Sequence, residues 1–308
     1  MPRVLVAMAT YNGLPYLGRQ VRSILAQRRV EVELFVSDDG STDGTREWIE
    51  QLAALDPRVH LLPPRSGPAG VGANFLYLAQ NLDPRPDELV AFSDQDDLWH
   101  PDKLAHQLEY LRLTGAAATS SNVLSFRPDG TSHLIVKSQP LRRWDFVFEA
   151  PGPGSTFLLS APVFQRIKPS LARLDQDQVW LHDWLIYALV RGGGDDWAID
   201  PRPHVAYRQH GENILGEHRG AAAFWSRWQN LRSGRYRAQF ILVATAALEE
   251  GRAAGRSEQW VRQLERLIGV LSSPGRLSQL GLIRFWPQMR RRTRDRLALG
   301  ALGIMRIW

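Results

Sequence analysis

The chain has 308 residues, of which 44% are hydrophobic and 23% charged, a balance typical of folded proteins and not of disordered ones. It contains no cysteine, which excludes disulfides and thiolate metal sites and agrees with a reducing cytosol. The N-terminal segment lacks a charged stretch followed by a long apolar one, and no run of about 18 apolar residues occurs, so we expect neither a signal peptide nor a membrane span.

The first 115 residues alternate between strand-like and helix-like patterns. Short β-branched runs predict buried strands at residues 3–10, 32–39, 59–63 and 88–94. Apolar residues recur at helical spacing around residues 17–25, 48–55, 75–82 and 104–111. This alternation predicts an α/β fold with a parallel sheet covered by helices on both faces, whose ligands bind beyond the carboxyl ends of the strands.

Residues 117–210 have a mixed pattern, and a helical one follows. AAATSSNVLSF and STFLLS suggest strands, DQVWLHDWLIYALVRGG suggests a helix, and HVAYRQH suggests a last strand. Beyond Gly220 the sequence is helical and rich in Arg, Leu, Ala and Trp, with a break at residues 272–275. We predict two domains, residues 1–220 and a basic helical region at 221–308.

The net charge of +6 conceals two electrostatically different parts. Residues 220–308 hold 16 arginines and five acidic residues, so this part carries +11 and the remainder −5. No RNA- or DNA-binding motif accompanies the arginines, so we do not expect a nucleic-acid partner.

The segment Glu88–Leu104, ELVAFSDQDDLWHPDKL, ends an apolar strand with three aspartates, Asp94, Asp96 and Asp97. Grouped carboxylates repel one another unless a cation lies among them. They suit Mg²⁺ or Mn²⁺, which takes its other oxygens from water and phosphates. A turn with one aspartate capping the next helix is the structural alternative, but a cap needs one acid and not three. We expect a metal–phosphate site here.

Two further strand ends carry polar residues that suit a nucleotide. In TYNG, Thr10, Tyr11 and Asn12 could lie against a base or ribose, or could form only a tight turn. In VSDDGSTDGT, Asp43 or Ser41 can cap the following helix, and either Asp38 or Asp39 remains as an acid that could accept a hydrogen bond from a pyrimidine ring N–H.

His182 and Asp183 lie in WLHDWL, on a helix that is otherwise apolar. Aromatic neighbours solvate a carboxylate poorly, which raises its pKa toward the working range of a general base. The structural alternative places Asp183 on the helix surface and His182 in the core. His210, which precedes a glycine in YRQHGENILG, becomes a candidate ligand because the acidic cluster is short of ligands.

Taken in order, ATYNG, VSDDGSTDGT, FSDQDDLWHPDKL, HDW and YRQHGENILG resemble the family 2 glycosyltransferases of the GT-A fold. The resemblance covers about residues 2–216. SDQDDLW…DKL and YRQHG more narrowly resemble bacterial rhamnosyltransferases that build O-antigen or related surface polysaccharides. The resemblance implies a GT-A, Rossmann-like domain with a C-terminal α-helical extension.

The resemblance also implies an inverting, metal-dependent transfer from a nucleotide-diphosphate sugar, with dTDP-L-rhamnose favoured, to a hydroxyl of a saccharide. Asp183 matches the catalytic base, and His182 replaces the usual glutamate beside it. The implied metal ligands are Asp94, Asp96 and His210. The residues that it implies for donor binding are Thr10, Tyr11, Asn12, one of Asp38 and Asp39, Asp94 and Gln95.

Three other functions remain open. The donor could carry UDP or GDP. A nucleotidyl- or phosphate-transferring metal enzyme could use the same acidic cluster, but Asp183 and His210 would then have no role. A degenerate sugar-binding scaffold would need none of these residues.

The basic region carries tryptophans among its arginines, namely Trp225, Trp228, Trp260, Trp286 and Trp308. A helix with arginines on one face and apolar residues on the other can lie in an anionic membrane interface. A cytoplasmic enzyme attached peripherally to the inner membrane would suit an acceptor linked to polyprenyl diphosphate. Alternatively, these helices pack on the acidic domain or on a second subunit of a homodimer.

Overall fold

The structure is a computed structural model that describes residues 1–67, 69–127, 129–175, 178–209, 234–273 and 281–304, with side chains up to residue 300. By its contacts the chain divides into two compact units. The first comprises Met1–Ser138, Pro151–Asp183 and Asp195–Arg208; the second comprises Gln139–Ala150, Trp184–Gly194 and the described part of Gln209–Trp308. The C-terminal region thus shares its unit with two earlier segments, a division that differs from the predicted boundary at residue 220.

The first half of the chain alternates strands and helices as predicted. Its elements are β1 (Arg3–Thr10), α1 (Leu14–Leu25), β2 (Glu31–Asp38), α2 (Thr45–Leu55), β3 (Val59–Leu61), α3 (Val71–Asn81), β4 (Leu89–Ser93), β5 (Leu98–Trp99) and α4 (Lys103–Thr114). Every residue of β4 is buried, which is typical of a strand covered on both faces.

The later elements are shorter and more varied. They are β6 (Ala118–Ser121), β7 (Val123–Phe126), β8 (Ser132–Ile135), α5 (Asp145–Phe148), β9 (Leu158–Ser160), α6 (Ala161–Arg173), α7 (His182–Gly193), β10 (Trp197–Asp200), β11 (Val205–Arg208), α8 (Arg235–Ala253), α9 (Glu258–Ser272) and α10 (Thr293–Ile304). Short 3₁₀ turns occupy Gly154–Thr156, Gly281–Arg284 and Trp286–Gln288.

The first unit contains two sheets. The larger has the order β10-β6-β9-β4-β1-β2-β3, and its pairs are parallel except where β9 runs antiparallel to β4 and β6. The smaller has the order β5-β11-β7-β8. Because β4, β1 and β2 are parallel neighbours, the loops that follow them leave the sheet at one edge. The predicted α/β fold is confirmed.

Two predicted elements differ from the structure. AAATSSNVLSF forms two strands in different sheets, because Asn122 interrupts it. Asn122 Oδ1 accepts hydrogen bonds from the N–H groups of Lys137 and Ser138, at 2.6 and 3.0 Å. The helix predicted to include Val179 begins at His182 instead. Val179 packs against Gly72 of α3, where a Cβ would lie 2.1 Å from the Val179 carbonyl oxygen.

The second unit is mainly helical in its described part, as predicted for the C-terminal region. Helix α8 packs against α9 and α5. Trp184 Nε1 donates to the Phe146 carbonyl oxygen at 2.8 Å, and Phe240 packs edge-on against both Trp184 and Phe148. Among the helices that the structure describes, none is both long enough and apolar enough to cross a bilayer.

Candidate active site

Hydrogen bonds join the loops that follow β1, β2 and β4. The N–H of Tyr11 donates to Gln95 Oε1, and Gln95 Nε2 donates back to the Tyr11 carbonyl oxygen, each at 2.8 Å. The N–H of Asn12 donates to Ser41 Oγ, and Asn12 Oδ1 accepts from the N–H of Thr42, each at 2.8 Å. The structure therefore brings TYNG, DDGSTD and DQDD together at one edge of the sheet.

Gln95, which the resemblance assigned to donor binding, uses both ends of its amide to hold the Tyr11 backbone. Gly13 leaves room for it, since a Cβ on Gly13 would lie 2.1 Å from Gln95 Oε1. The Tyr11 side chain remains 51% exposed. Gln95 thus fixes the backbone of a loop whose aromatic ring is accessible to a ligand.

Asp38, the last residue of β2, holds the loop that follows this strand. Its Oδ1 accepts from the hydroxyls of Thr10 and Ser41, at 3.0 and 2.5 Å. Its Oδ2 accepts from the N–H groups of Gly40 and Ser41, at 3.2 and 2.9 Å. A carboxylate offers about four acceptor positions, so these bonds occupy Asp38 fully.

Asp39 has a different set of partners, which includes a residue that the sequence analysis missed. Arg65 donates from Nη2 and Nε to Asp39 Oδ1, at 2.7 and 3.2 Å, and the N–H of Gly70 donates to Oδ2 at 2.6 Å. Arg65 follows β3, the neighbour of β2 in the sheet, and is a lone basic residue in a Pro/Gly-rich loop. Because Arg65 follows a predicted strand, the sequence could have indicated it as a residue near the site.

Two carboxyl groups of the acidic loop, Asp94 and Asp97, have raised pKa values. Burial, and then the negative charges of Asp96 and Asp183, raise the pKa of Asp94 to about 8. Burial and the charges of Asp94 and Asp96 likewise raise the pKa of Asp97. The carboxylates that follow β4 therefore act on one another, and Asp183 lies near enough to Asp94 for its charge to raise the pKa of Asp94.

The chemistry of this group fits a divalent cation. Asp97 Oδ2 is buried with no hydrogen-bond partner among the described residues. Within the described ranges, no group of three or more His, Asp or Glu side chains is placed so that it could hold a metal ion by itself. Mg²⁺ commonly takes one or two carboxylates and completes its shell with waters and substrate phosphates, which Asp94 and Asp96 can satisfy. The third predicted ligand, His210, lies outside the described residues.

His182 belongs to the core and opens the helix that carries Asp183. Its ring stacks on Phe75 with centroids 3.6 Å apart, and Phe92 lies 6.1 Å away. Burial lowers the pKa of His182 to about 3, so the ring is neutral. A Cβ on Gly154 would lie 2.3 Å from His182 Nε2. This packing fixes the first turn of α7 and so the position of Asp183.

The comparisons with known proteins show that the chain belongs to glycosyltransferase family 2 and has a GT-A-like fold. The sequence model of Glycosyl transferase family 2 matches residues 5–149. The predicted family, fold class and enzyme class are confirmed.

Individual relatives agree with this assignment. The chain is 33% identical over 246 residues to dTDP-rhamnosyl transferase RfbG of Shigella flexneri, a match that covers 79% of this chain and 85% of the relative. It is 27% identical over 219 residues to the succinoglycan biosynthesis protein ExoO of Rhizobium meliloti, covering 67% and 61%. The crystal structure of S. aureus TarS 1–349 in complex with UDP-GlcNAc shares the fold, with a TM-score of 0.59, 15% identity and coverage of 100% and 83%.

Proposed function

We propose that this glycosyltransferase moves a sugar, with inversion, from a nucleotide-diphosphate donor to a hydroxyl of a saccharide acceptor. The loops after β1, β2 and β4 meet at one edge of the sheet, and the charge of Asp183 acts on Asp94 there; this observation supports the proposal. Asp94 and Asp96 suit a cation that binds the donor diphosphate. Asp183 is the carboxylate that takes the acceptor proton. Inversion needs one base, whereas retention by double displacement also needs a nucleophile.

The nucleoside part of the donor is assigned to the loops after β1 and β2. The exposed ring of Tyr11 provides a face for the base, with Thr10 and Asn12 beside it in the same loop. Of the two acids left open by the sequence, we assign Asp39, because Asp38 already accepts four hydrogen bonds. Arg65 orients the Asp39 carboxylate.

Asp94 and Asp96, with His210, would hold Mg²⁺ or Mn²⁺. When bound, the cation stabilises the negative charge on the diphosphate leaving group. Asp94 must lose its proton to ligate, and its pKa is raised to about 8. Below that pH, protons therefore compete with the cation.

We expect the affinity of the protein for Mn²⁺ to rise with pH by up to about tenfold per unit between pH 6 and 8, and then to level off. Calorimetric titration with Mn²⁺ measures this dependence. Asp94→Asn, which carries no competing proton at this position, should bind Mn²⁺ weakly and with a smaller pH dependence. An affinity that is constant between pH 6 and 8 in the parent protein would contradict this role of Asp94.

We propose dTDP-L-rhamnose as the donor, supported by the relative named a dTDP-rhamnosyl transferase. The purified protein with Mn²⁺ should slowly hydrolyse its own donor in the absence of acceptor. A panel of dTDP-, UDP- and GDP-sugars, with release of the nucleoside diphosphate as the readout, identifies the donor. If a UDP- or GDP-sugar is hydrolysed faster, that sugar nucleotide and not dTDP-L-rhamnose is the donor. Release of a nucleoside monophosphate would instead indicate phosphate or nucleotidyl transfer.

A lipid-linked saccharide in bacterial surface polysaccharide synthesis is the proposed acceptor, reached from an anionic membrane surface. Exposed basic and apolar residues within 281–300 support this proposal, namely Ile283, Arg284, Trp286, Arg292, Arg294 and Leu297. Trp286 Nε1 donates to the Arg296 carbonyl oxygen at 2.9 Å, which ties the 3₁₀ turn to α10. Trp225, Trp228 and Trp308 of the basic region lie outside the described residues.

The full chain should float with vesicles that contain phosphatidylglycerol and remain unbound with phosphatidylcholine alone. Leu297→Asp should weaken binding by about tenfold or more, since burying a leucine in an apolar phase contributes about 1.5–3 kcal/mol. Leu113→Asp, at an exposed leucine of α4, is the matched control and should bind as the parent does. Flotation that is indifferent to anionic lipid would reject membrane attachment.

A further inference from the structure

Arg208, the last residue of β11, binds the acidic loop twice. Its backbone N–H donates to Asp97 Oδ1 at 3.2 Å. Its side-chain Nε donates to the carbonyl oxygen of Asp96 at 3.0 Å. One residue from a different sheet therefore holds two consecutive residues of the loop that carries the predicted metal ligands.

Two aromatic rings contact the Arg208 guanidinium. Its central carbon lies 4.8 Å from the ring centroid of Tyr16 in α1 and 4.7 Å from that of Phe126 in β7. The parallel register of β11 and β7 places Phe126 directly opposite Arg208. Arginine stacks on aromatic faces through its planar, always charged group, which lysine cannot reproduce. The rings thus aim Nε at the Asp96 carbonyl.

The first half of the same loop is held from β1 and β4. Ser93 Oγ donates to the Asp94 carbonyl oxygen at 2.8 Å, and Gln95 exchanges two hydrogen bonds with the Tyr11 backbone. Arg208 supplies the corresponding bonds at Asp96 and Asp97. A loop that gathers several carboxyl groups needs such bonds, because Asp94 and Asp96 repel each other whenever both are ionised and no cation lies between them.

We propose that Arg208 is a positioning residue, which holds the Asp96 backbone so that the Asp96 carboxylate is oriented for a divalent cation. Hydrogen bonds behind a metal ligand set its direction, and their loss typically costs about 10–100-fold in metal affinity or activity. Arg208 acts through Asp96 and not on the donor. The inference rests on the proposed function, in which Asp96 is a direct metal ligand.

The experiment measures Mn²⁺ affinity of the full chain by calorimetry at pH 8, together with the thermal midpoint without Mn²⁺. Arg208→Met removes the charge and the Nε donor, and should weaken Mn²⁺ binding by about 10–100-fold while the protein stays folded. Arg208→Lys keeps the charge but not the planar group, and should recover only part of the affinity. Arg112→Met, at an exposed arginine of α4, is the matched control and should bind Mn²⁺ as the parent does.

Phe126→Leu is a second, milder variant that keeps both Arg208 donors and removes one stacking ring. It should weaken Mn²⁺ binding in the same direction by a smaller factor, and it serves as the test if Arg208→Met does not fold. Parental Mn²⁺ affinity in a folded Arg208→Met, or in Phe126→Leu when that variant serves as the test, would overturn the inference and leave the proposed function intact. A parent protein that binds no Mn²⁺ at all would overturn both.

Discussion

Replacing Asp183 by asparagine should abolish sugar transfer while donor binding persists. Asparagine keeps the shape of the side chain but cannot accept the proton of the acceptor hydroxyl. Loss of a general base typically lowers turnover by about 10²–10⁴-fold. We expect kcat to fall by at least about a hundredfold in a transfer assay with saturating donor and acceptor. Calorimetric affinity for the nucleoside diphosphate with Mn²⁺ should change little.

The same variant has a second readout that does not depend on catalysis. The Asp183 charge contributes to raising the pKa of Asp94 to about 8. Removing that charge should lower the pKa of Asp94, so the pH at which Mn²⁺ affinity levels off should move below about 8. This shift tests the closeness of the two carboxylates even if the transfer assay fails.

Asp83→Asn makes the same chemical change at an aspartate that is 86% exposed, and should leave both readouts at the parental value. Equal turnover in Asp183→Asn and the parent would remove Asp183 from the role of base. A normal turnover with a shifted pH dependence would place Asp183 beside the cation without a catalytic role.

The meeting of the three loops could be predicted from the sequence because it depends on strand order alone. Apolar runs marked β1, β2 and β4, and polar residues followed each of them. In a parallel sheet such residues must emerge at the same edge. The convergence of Tyr11, Asp39 and Asp94 at one site therefore needed no knowledge of side-chain contacts.

Residues that act through other residues gave no comparable signal. Arg208 lies far along the chain from the aspartates it holds, and a lone arginine at a strand end has no distinctive pattern. For Arg65, the position in a Pro/Gly-rich loop after β3 was the one available signal. The environment of His182 was equally hidden, since stacking on Phe75 and the space left by Gly154 come from three separate segments. Local sequence does not encode such contacts.

The basic region shows the limit of composition as a guide. Its 16 arginines indicated charge and helices, but not which side chains are buried. Arg291 is 3% exposed, whereas Arg294, three residues later, is exposed. One arginine therefore belongs to the core of the second unit and the other to the surface proposed to contact the membrane. Packing and membrane contact, treated as alternatives from the sequence, are compatible because they use different residues.

Arg291 lies in a buried network of charges within the second unit. Its Nη1 lies 3.3 Å from Asp145 Oδ2, and its Nη2 donates to the Ala150 carbonyl oxygen at 2.7 Å. Asp145 is fully buried and also accepts from the Tyr187 hydroxyl at 3.0 Å. Arg191 Nη1 lies 3.5 Å from Asp145 Oδ1. Burial raises the pKa of Asp145, and the two arginines oppose that rise.

Arg291→Met should destabilise the protein by about 3 kcal/mol or more, because removing one partner of a buried ion pair leaves the other charge poorly compensated, at a cost of about 3–5 kcal/mol. Methionine is chosen because it fills a comparable volume, so the loss reports charge and hydrogen bonds and not an empty cavity. Arg191 remains beside Asp145, which places the expected value at the lower end of that range. Urea unfolding followed by circular dichroism measures it.

Arg294→Met is the control from the same segment, since its side chain is exposed, and surface substitutions of this kind usually change stability by less than about 0.5 kcal/mol. A double variant, Arg291→Met with Asp145→Asn, removes the uncompensated carboxylate and should recover part of the loss. If Arg291→Met unfolds at the same urea concentration as Arg294→Met, the network does not fasten residues 281–300 to α5. The basic surface would then need another explanation for its fixed position.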